Sequence, residues 1–99
     1  MASIHVYLEN GFEHDHVTVS AGDDRREELD VSTRYQVGLA AVVELRVPDG
    51  APAELRVAVP GRGLAAEATV DPGVTPHVRV NVTGGALDVR PERSPPMFA

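Results

Sequence analysis

Residues 43–59 read VELRVPDGAPAELRVAV, and this stretch decides the fold class. Apolar residues occupy every second position on both sides of the central break PDGAP, and charged residues stand between them. Such alternation is typical of a β-strand that buries one face. We therefore expect two strands joined as an antiparallel hairpin, with Arg46 opposite Glu54 and Glu44 opposite Arg56 on its outer face.

The same alternation recurs in short blocks along the whole chain. Further blocks lie at 4–8, 16–20, 64–70 and 78–89, and Gly, Pro, Asn and Asp separate them. The sequence thus predicts seven or eight short strands and no clear helix. An all-β, antiparallel β-sandwich in the broad immunoglobulin-like or transthyretin-like style accommodates this pattern, and a small barrel is the alternative.

Two dipeptides predict tight turns. The pair NG at 10–11 tolerates positive φ and predicts a hairpin between the first two strands. The pair GG at 84–85 predicts a two-residue turn that sets Val82 opposite Leu87. The region 27–34 is ambiguous between a strand and a helical turn. The apolar run 35–43 predicts a strand buried on both sides or a crossover between sheets at Gly38, and a dimer face is the alternative.

The length and composition are those of one small globular domain. The chain has 99 residues, of which 42% are hydrophobic and 24% charged. We expect a single domain over 1–93 and a short Pro-containing tail over 94–99. The absence of Cys excludes a disulfide framework and thiol chemistry.

Charge and aromatic content narrow the classes of partner. The formal net charge is −6, and all nine basic residues are Arg. An acidic domain is poorly suited to nucleic acid or to an anionic membrane surface. Since the aromatic residues are only Tyr7, Phe12, Tyr35 and Phe98, we expect no carbohydrate ligand either. The N-terminus has no basic segment followed by an apolar one, so we expect a cytoplasmic, bacterial protein.

Three histidines are candidate metal ligands. His14 and His16 share a face of a strand, and the hairpin predicted at 10–11 sets His5 opposite His16. A longer loop running to Asp15 is the alternative, and it would break the pairing with His5. Three imidazoles on one face resemble the donor set of a catalytic zinc site. The competing interpretation is a solvated polar strand face with incidental histidines.

Acidic residues cluster in the stretch 23–30, called here the third block. They are Asp23, Asp24, Glu27, Glu28 and Asp30. Carboxylates in a loop are ligands for calcium, but Arg25 and Arg26 lie inside the cluster and the spacing matches no calcium loop. A solubilising charged turn is the favoured interpretation.

The end of the chain offers a candidate partner-binding segment. Met97 and Phe98 follow two prolines, and two apolar side chains on such a stub could dock in a groove of another protein. The competing interpretation is that they fold back over the domain's own core.

These features favour a non-enzymatic β-sandwich that serves as a binding or interaction module without a cofactor. Its partner would be another protein or a second copy of the chain, bound through an edge strand or the apolar tail. The alternative is a small zinc-type metal-binding protein or enzyme that uses His5, His14 and His16.

Overall fold

The computed structural model describes residues 2–34 and 36–96, and its regular elements in that part of the chain are β-strands and one 3₁₀ turn. The strands are Ala2–Leu8 (β1), Asp15–Ala21 (β2), Asp24–Val31 (β3), Ala41–Val47 (β4), Ala53–Val59 (β5), Leu64–Val70 (β6), His77–Thr83 (β7) and Ala86–Glu92 (β8). The 3₁₀ turn, Pro60–Arg62, follows β5.

The strands form two four-stranded sheets that pack face to face. One sheet has the order β4-β1-β7-β8, called here the first sheet, and the second has the order β3-β2-β5-β6. Among the strands of the described residues, only β1 and β7 pair in parallel. The predicted β-sandwich is confirmed, and the sheets do not close into the alternative barrel. In an immunoglobulin domain the first strand pairs with the second, so the likeness to that class is one of architecture alone.

The core lies between the sheets and is built from every second residue of the strands. Val dominates it, since β-branched side chains pack well on a pleated surface. Ile4, Val6 and Leu8 of β1 are fully buried, as their alternation predicts. Phe12 is the largest buried side chain and comes from the connection between β1 and β2.

The hairpin expected from residues 43–59 is wrong, although both of its strands and their buried faces are correct. β4 pairs with β1, which sets Glu44 opposite His5. β5 pairs with β2 and β6, which sets Arg56 between Ser20 and Glu67. The five-residue break can turn within one sheet or cross to the other, and alternation is satisfied equally well by both. The chain crosses.

The two tight-turn predictions have opposite outcomes. The GG turn is confirmed, since Val82 pairs with Leu87 and Val80 with Val89. The NG hairpin is wrong, because β1 and β2 lie in different sheets. Gly11 does take a positive φ of 91°, but it uses this conformation to lie against β7 rather than to close a hairpin.

The ambiguous region resolves into an edge strand. The apolar run does not form one strand; it lies where the chain crosses from the second sheet to the first, which confirms the crossover interpretation. β3 carries a register shift opposite Asp15 and Val17, with Asp30 at a φ of +58°. This bulge leaves Leu29 exposed. Residues 36–38 form a turn, and β4 begins only at Ala41.

Among the described residues, no helix is long and apolar enough to cross a lipid bilayer.

Candidate functional site

The structure separates the three histidines of the metal hypothesis. His5 lies on the outer face of the first sheet, and its neighbours across the strands are Glu44 and His77. His14 and His16 lie at the β2–β3 edge of the second sheet, where His14 Nδ1 is 2.6 Å from Asp30 and His16 Nε2 is 3.8 Å from Glu27. The predicted pairing of His5 with His16 is therefore wrong, and β2 begins at Asp15, as the alternative of a longer loop implies.

No alternative metal centre replaces it. Among residues 2–34 and 36–96, no group of three or more His, Asp or Glu side chains is arranged to hold a metal ion. The acidic residues of the third block belong largely to β3, where two of them are paired with arginine. Arg25 Nη2 is 3.0 Å from Glu27, and Arg26 Nε is 3.3 Å from Asp24.

The outer face of the first sheet carries a histidine pair that sequence reasoning missed. The rings of His5 and His77 stack with centroids 5.4 Å apart. The Tyr7 hydroxyl lies 2.9 Å from His77 Nδ1 and can donate to that nitrogen while the imidazole is neutral. In the same row of the sheet, Glu44 stands opposite His5 and Glu92 opposite His77.

This pair makes stability depend on pH. Desolvation, and then the charge of His5, hold the pKa of His77 below its ordinary value. The folded state therefore favours neutral His77, whose contribution to stability is complete above the unfolded-state pKa, about 6.5, and is lost as pH falls below it. We expect the thermal midpoint of the native protein to fall more between pH 7.5 and 5 than that of His77→Gln, measured by circular dichroism.

His14 provides the opposite control. Its hydrogen bond and charge interaction with Asp30 raise its pKa, so its contribution is present at low pH and is lost as pH rises through the folded-state pKa. The thermal midpoint of His14→Gln should therefore fall more steeply on acidification than that of the native protein. Parallel midpoint curves for the native protein and both variants would contradict these assignments.

Two buried polar groups near the loops have structural partners. The carboxylate of Glu9 accepts bonds from Arg79 Nε at 3.0 and 3.1 Å and from the Asn81 amide at 2.9 Å. Asp15 accepts two bonds from Arg62, at 2.8 and 2.9 Å, which ties the 3₁₀ turn to β2. These bonds fix the two ends of the β1–β2 connection and satisfy both buried carboxylates.

The candidate partner-binding residues Met97 and Phe98 lie outside the described residues. The edge strands, which are the other interaction route expected, are fully described. A sheet edge exposes unpaired N–H and C=O groups that can template another strand, and natural proteins commonly block it with charge, proline or a bulge.

Three of the four edges carry such a block. In β8, Pro91 has no N–H to offer a further strand. In β4, the Arg46 amide donates to the Asp24 carboxylate at 2.8 Å, across from the other sheet. In β3, six of eight residues are charged and the bulge at Asp30 interrupts the ladder.

The fourth edge, β6, has none of these blocks. Its sequence LAAEATV contains one charge, Glu67, and neither Pro nor Gly. All seven of its residues pair with β5 without a register shift. Its backbone makes no hydrogen bond to any other strand of the described chain. β6 is thus a regular, nearly uncharged edge rich in alanine, and it lies close beside β8 of the first sheet.

The outer face of the second sheet holds a shallow cleft of about 290 Å³, lined by Thr18, Ser20, Arg25, Arg56, Ala58 and Pro60. Pairing across β3, β2 and β5 sets Arg25, Ser20 and Arg56 in one row. The row forms because β5 pairs with β2. The sequence predicts that β5 pairs with β4, and therefore does not predict the row. The alternation of β2 and β5 already indicated that Ser20 and Arg56 face solvent, whereas the sequence predicts a charged turn rather than a strand at Arg25.

Comparison with protein-family models, with curated proteins and with solved structures gave no match. Function is therefore inferred from the geometry of this chain alone.

Proposed function

We propose that this chain is a non-enzymatic interaction module that associates with a second copy of itself through the β6 edge. The observation that carries the proposal is the contrast between β6 and the other edges. Pro91 protects β8, the Asp24 carboxylate protects β4, and charge with a bulge protects β3, whereas β6 is regular and has neither proline, bulge nor a run of charge. β6 does lie close beside β8 of the first sheet, so a second copy would have to approach from the side away from β8.

The sequence of β6 is compatible with antiparallel pairing to itself. An overlap of all seven residues would set Glu67 opposite Glu67 of the second copy, which is unfavourable. A register centred on Ala66 avoids this contact. It sets Ala66 opposite Ala66, Ala65 opposite Glu67 and Leu64 opposite Ala68. In this register no two charged side chains stand opposite each other.

Such a dimer would join the two second sheets into one continuous eight-stranded sheet. The contact is isologous, since each copy uses the same surface, and it therefore closes at two chains. Both copies carry a net charge of −6, which opposes association at low ionic strength. The dimer should consequently tighten as salt screens the repulsion.

Charge placed at position 65 tests the proposal. Ala65 is exposed and would lie opposite Glu67 of the second copy. Ala65→Glu creates two like-charge pairs, each worth about 0.2–1 kcal/mol, and should weaken the dimer about two- to thirtyfold. Ala65→Lys has a similar size and creates two attractive pairs, so it should tighten the dimer. Sedimentation equilibrium of the two variants and the native protein measures both effects.

A control separates these contacts from net charge. Ala51 is exposed in the β4–β5 connection, which enters β5 opposite Val70, at the end of β6 that lies away from Ala65 and from the proposed overlap centred on Ala66. Ala51→Glu and Ala51→Lys change the net charge by the same amounts. If these variants shift the equilibrium as much as the position-65 variants do, or if the native protein stays monomeric at all concentrations and salt levels, the proposal fails.

A further inference from the structure

We propose that the cleft on the outer face of the second sheet is a binding site for a phosphate group, carried by a small phosphate monoester. The cleft is independent of the β6 edge, so this proposal does not depend on the proposed function. It is carried by the convergence of two arginines and two hydroxyls in an otherwise acidic protein.

The register of the sheet places both arginines in the lining of the same cleft. Arg25 and Arg56 stand on either side of Ser20, in the strands that flank β2. Their Cα atoms are therefore two strand spacings apart, about 9–10 Å. Long side chains can reach toward each other across this distance above the Ser20 hydroxyl. Thr18 supplies a second hydroxyl, in the adjacent row beside Ala58.

Arg56 is available for a ligand. Within the described residues its guanidinium forms no ion pair, although Glu67 stands directly opposite it on β6. The other carboxylate near it in β5, Glu54, instead accepts a bond from the Thr69 hydroxyl at 2.7 Å. An exposed guanidinium without a carboxylate partner is a ready donor of two parallel hydrogen bonds.

The ion pair that Arg25 forms with Glu27 is weak. The pair is exposed on both sides, with 65% and 49% of the side chains accessible. Exposed pairs of this kind contribute little to stability, so a competing anion can displace the carboxylate. His16 also lies 3.8 Å from Glu27 and can retain that carboxylate when Arg25 turns to the ligand.

The donor set favours phosphate over other anions. A phosphate monoester is a dianion near neutral pH and has three terminal oxygens, which match two guanidinium forks and a hydroxyl. A carboxylate has only two oxygens and one charge. The volume of about 290 Å³ lies just below the usual range of ligand pockets, about 300–1,000 Å³, and therefore fits a small ligand.

Titration with inorganic phosphate, followed by amide chemical shifts at constant ionic strength, tests the proposal. We expect saturable shifts centred on Thr18, Ser20 and Ala58, with chloride at matched ionic strength giving none. Arg56→Gln should weaken phosphate binding about tenfold or more, as expected for loss of hydrogen bonds from a charged donor. Arg90→Gln removes an exposed arginine from the other sheet and should leave the affinity within about twofold, as for a site it does not touch.

A gain-of-affinity variant makes the test sharper. Glu27→Gln frees Arg25 and should tighten phosphate binding, whereas Glu44→Gln, which removes a charge from the opposite sheet, should not. Phenyl phosphate should bind at the same residues, and succinate should bind more weakly. The proposal is overturned by an absence of saturable shifts, by equal losses in Arg56→Gln and Arg90→Gln, or by succinate binding as tightly as phosphate.

Discussion

Replacing Gly11 with alanine should destabilise the protein by about 2–5 kcal/mol, because it adds backbone strain and overpacking at once. Gly11 has a φ of 91°, which L-residues rarely adopt. A Cβ at this position would lie 2.4 Å from the Val82 carbonyl oxygen and 2.7 Å from the Val82 Cβ. Both contacts involve atoms close to the backbone, so neither can be relieved by rotation of a side chain.

The close approach exists because the chain follows β7 beyond the end of β1. Glu9 donates its amide to the Val80 carbonyl at 2.8 Å, and the Asn10 carbonyl accepts from the Val82 amide at 2.9 Å. Gly11 must then pass directly over Val82 before Phe12 enters the core. Moving the loop outward to admit a methyl group would withdraw Phe12 as well.

Two glycine controls separate the causes. Gly50 has a φ of 77° but open space around it, and Gly61 has neither a positive φ nor a close neighbour. Gly50→Ala should cost about 1–2 kcal/mol, from the backbone conformation alone, and Gly61→Ala should be nearly neutral. Denaturant unfolding measures all three; equal costs for Gly11→Ala and Gly50→Ala would show that the contact with Val82 is unimportant.

Removing the guanidinium of Arg79 should have the second large effect. The Glu9 side chain is only 2% exposed, and Arg79 is the group that balances its charge. In Arg79→Ala the Asn81 amide remains as a donor, but the buried carboxylate has lost its cation. Breaking a buried pair in this way typically costs about 3–5 kcal/mol. We expect a loss toward the lower end, because 43% of the Arg79 side chain is accessible.

Arg90 provides a matched control in the adjacent strand. It pairs with Asp88 at 2.9 Å, but both side chains are largely exposed. Arg90→Ala should therefore cost less than about 1 kcal/mol. The double variant Glu9→Gln with Arg79→Ala should recover part of the loss, since no buried charge remains. Similar costs for Arg79→Ala and Arg90→Ala, by denaturant unfolding, would contradict a buried pair.

The burial pattern of most strands was predictable because it is local. Alternation in β1 identifies Ile4, Val6 and Leu8 as core residues, and two residues between strands fix the register of the β7–β8 hairpin. The pairing of β4 and β5 was not predictable in the same way. Alternation determines which face is buried, but it does not specify which strand lies alongside.

The candidate sites depend on which strands lie side by side, and alternation does not specify this. His5 stacks on His77 through a parallel pairing between strands 72 positions apart, which no turn signal records. The row of Arg25, Ser20 and Arg56 likewise arises from the joining of β3, β2 and β5. The β6 edge was predictable as a strand, but its position at the end of a sheet was not, because this follows from strand order.

The measurement that tests the central claim most directly is a dilution series of the native protein followed by amide chemical shifts. If two copies pair through β6, the amides that shift with concentration should be confined to Leu64–Val70 and its immediate neighbours in β5, and the shifts should grow with added salt. Shifts confined to β3, β4 or β8 would assign association to an edge described here as blocked, and concentration-independent spectra would show that the β6 edge does not bind a second copy.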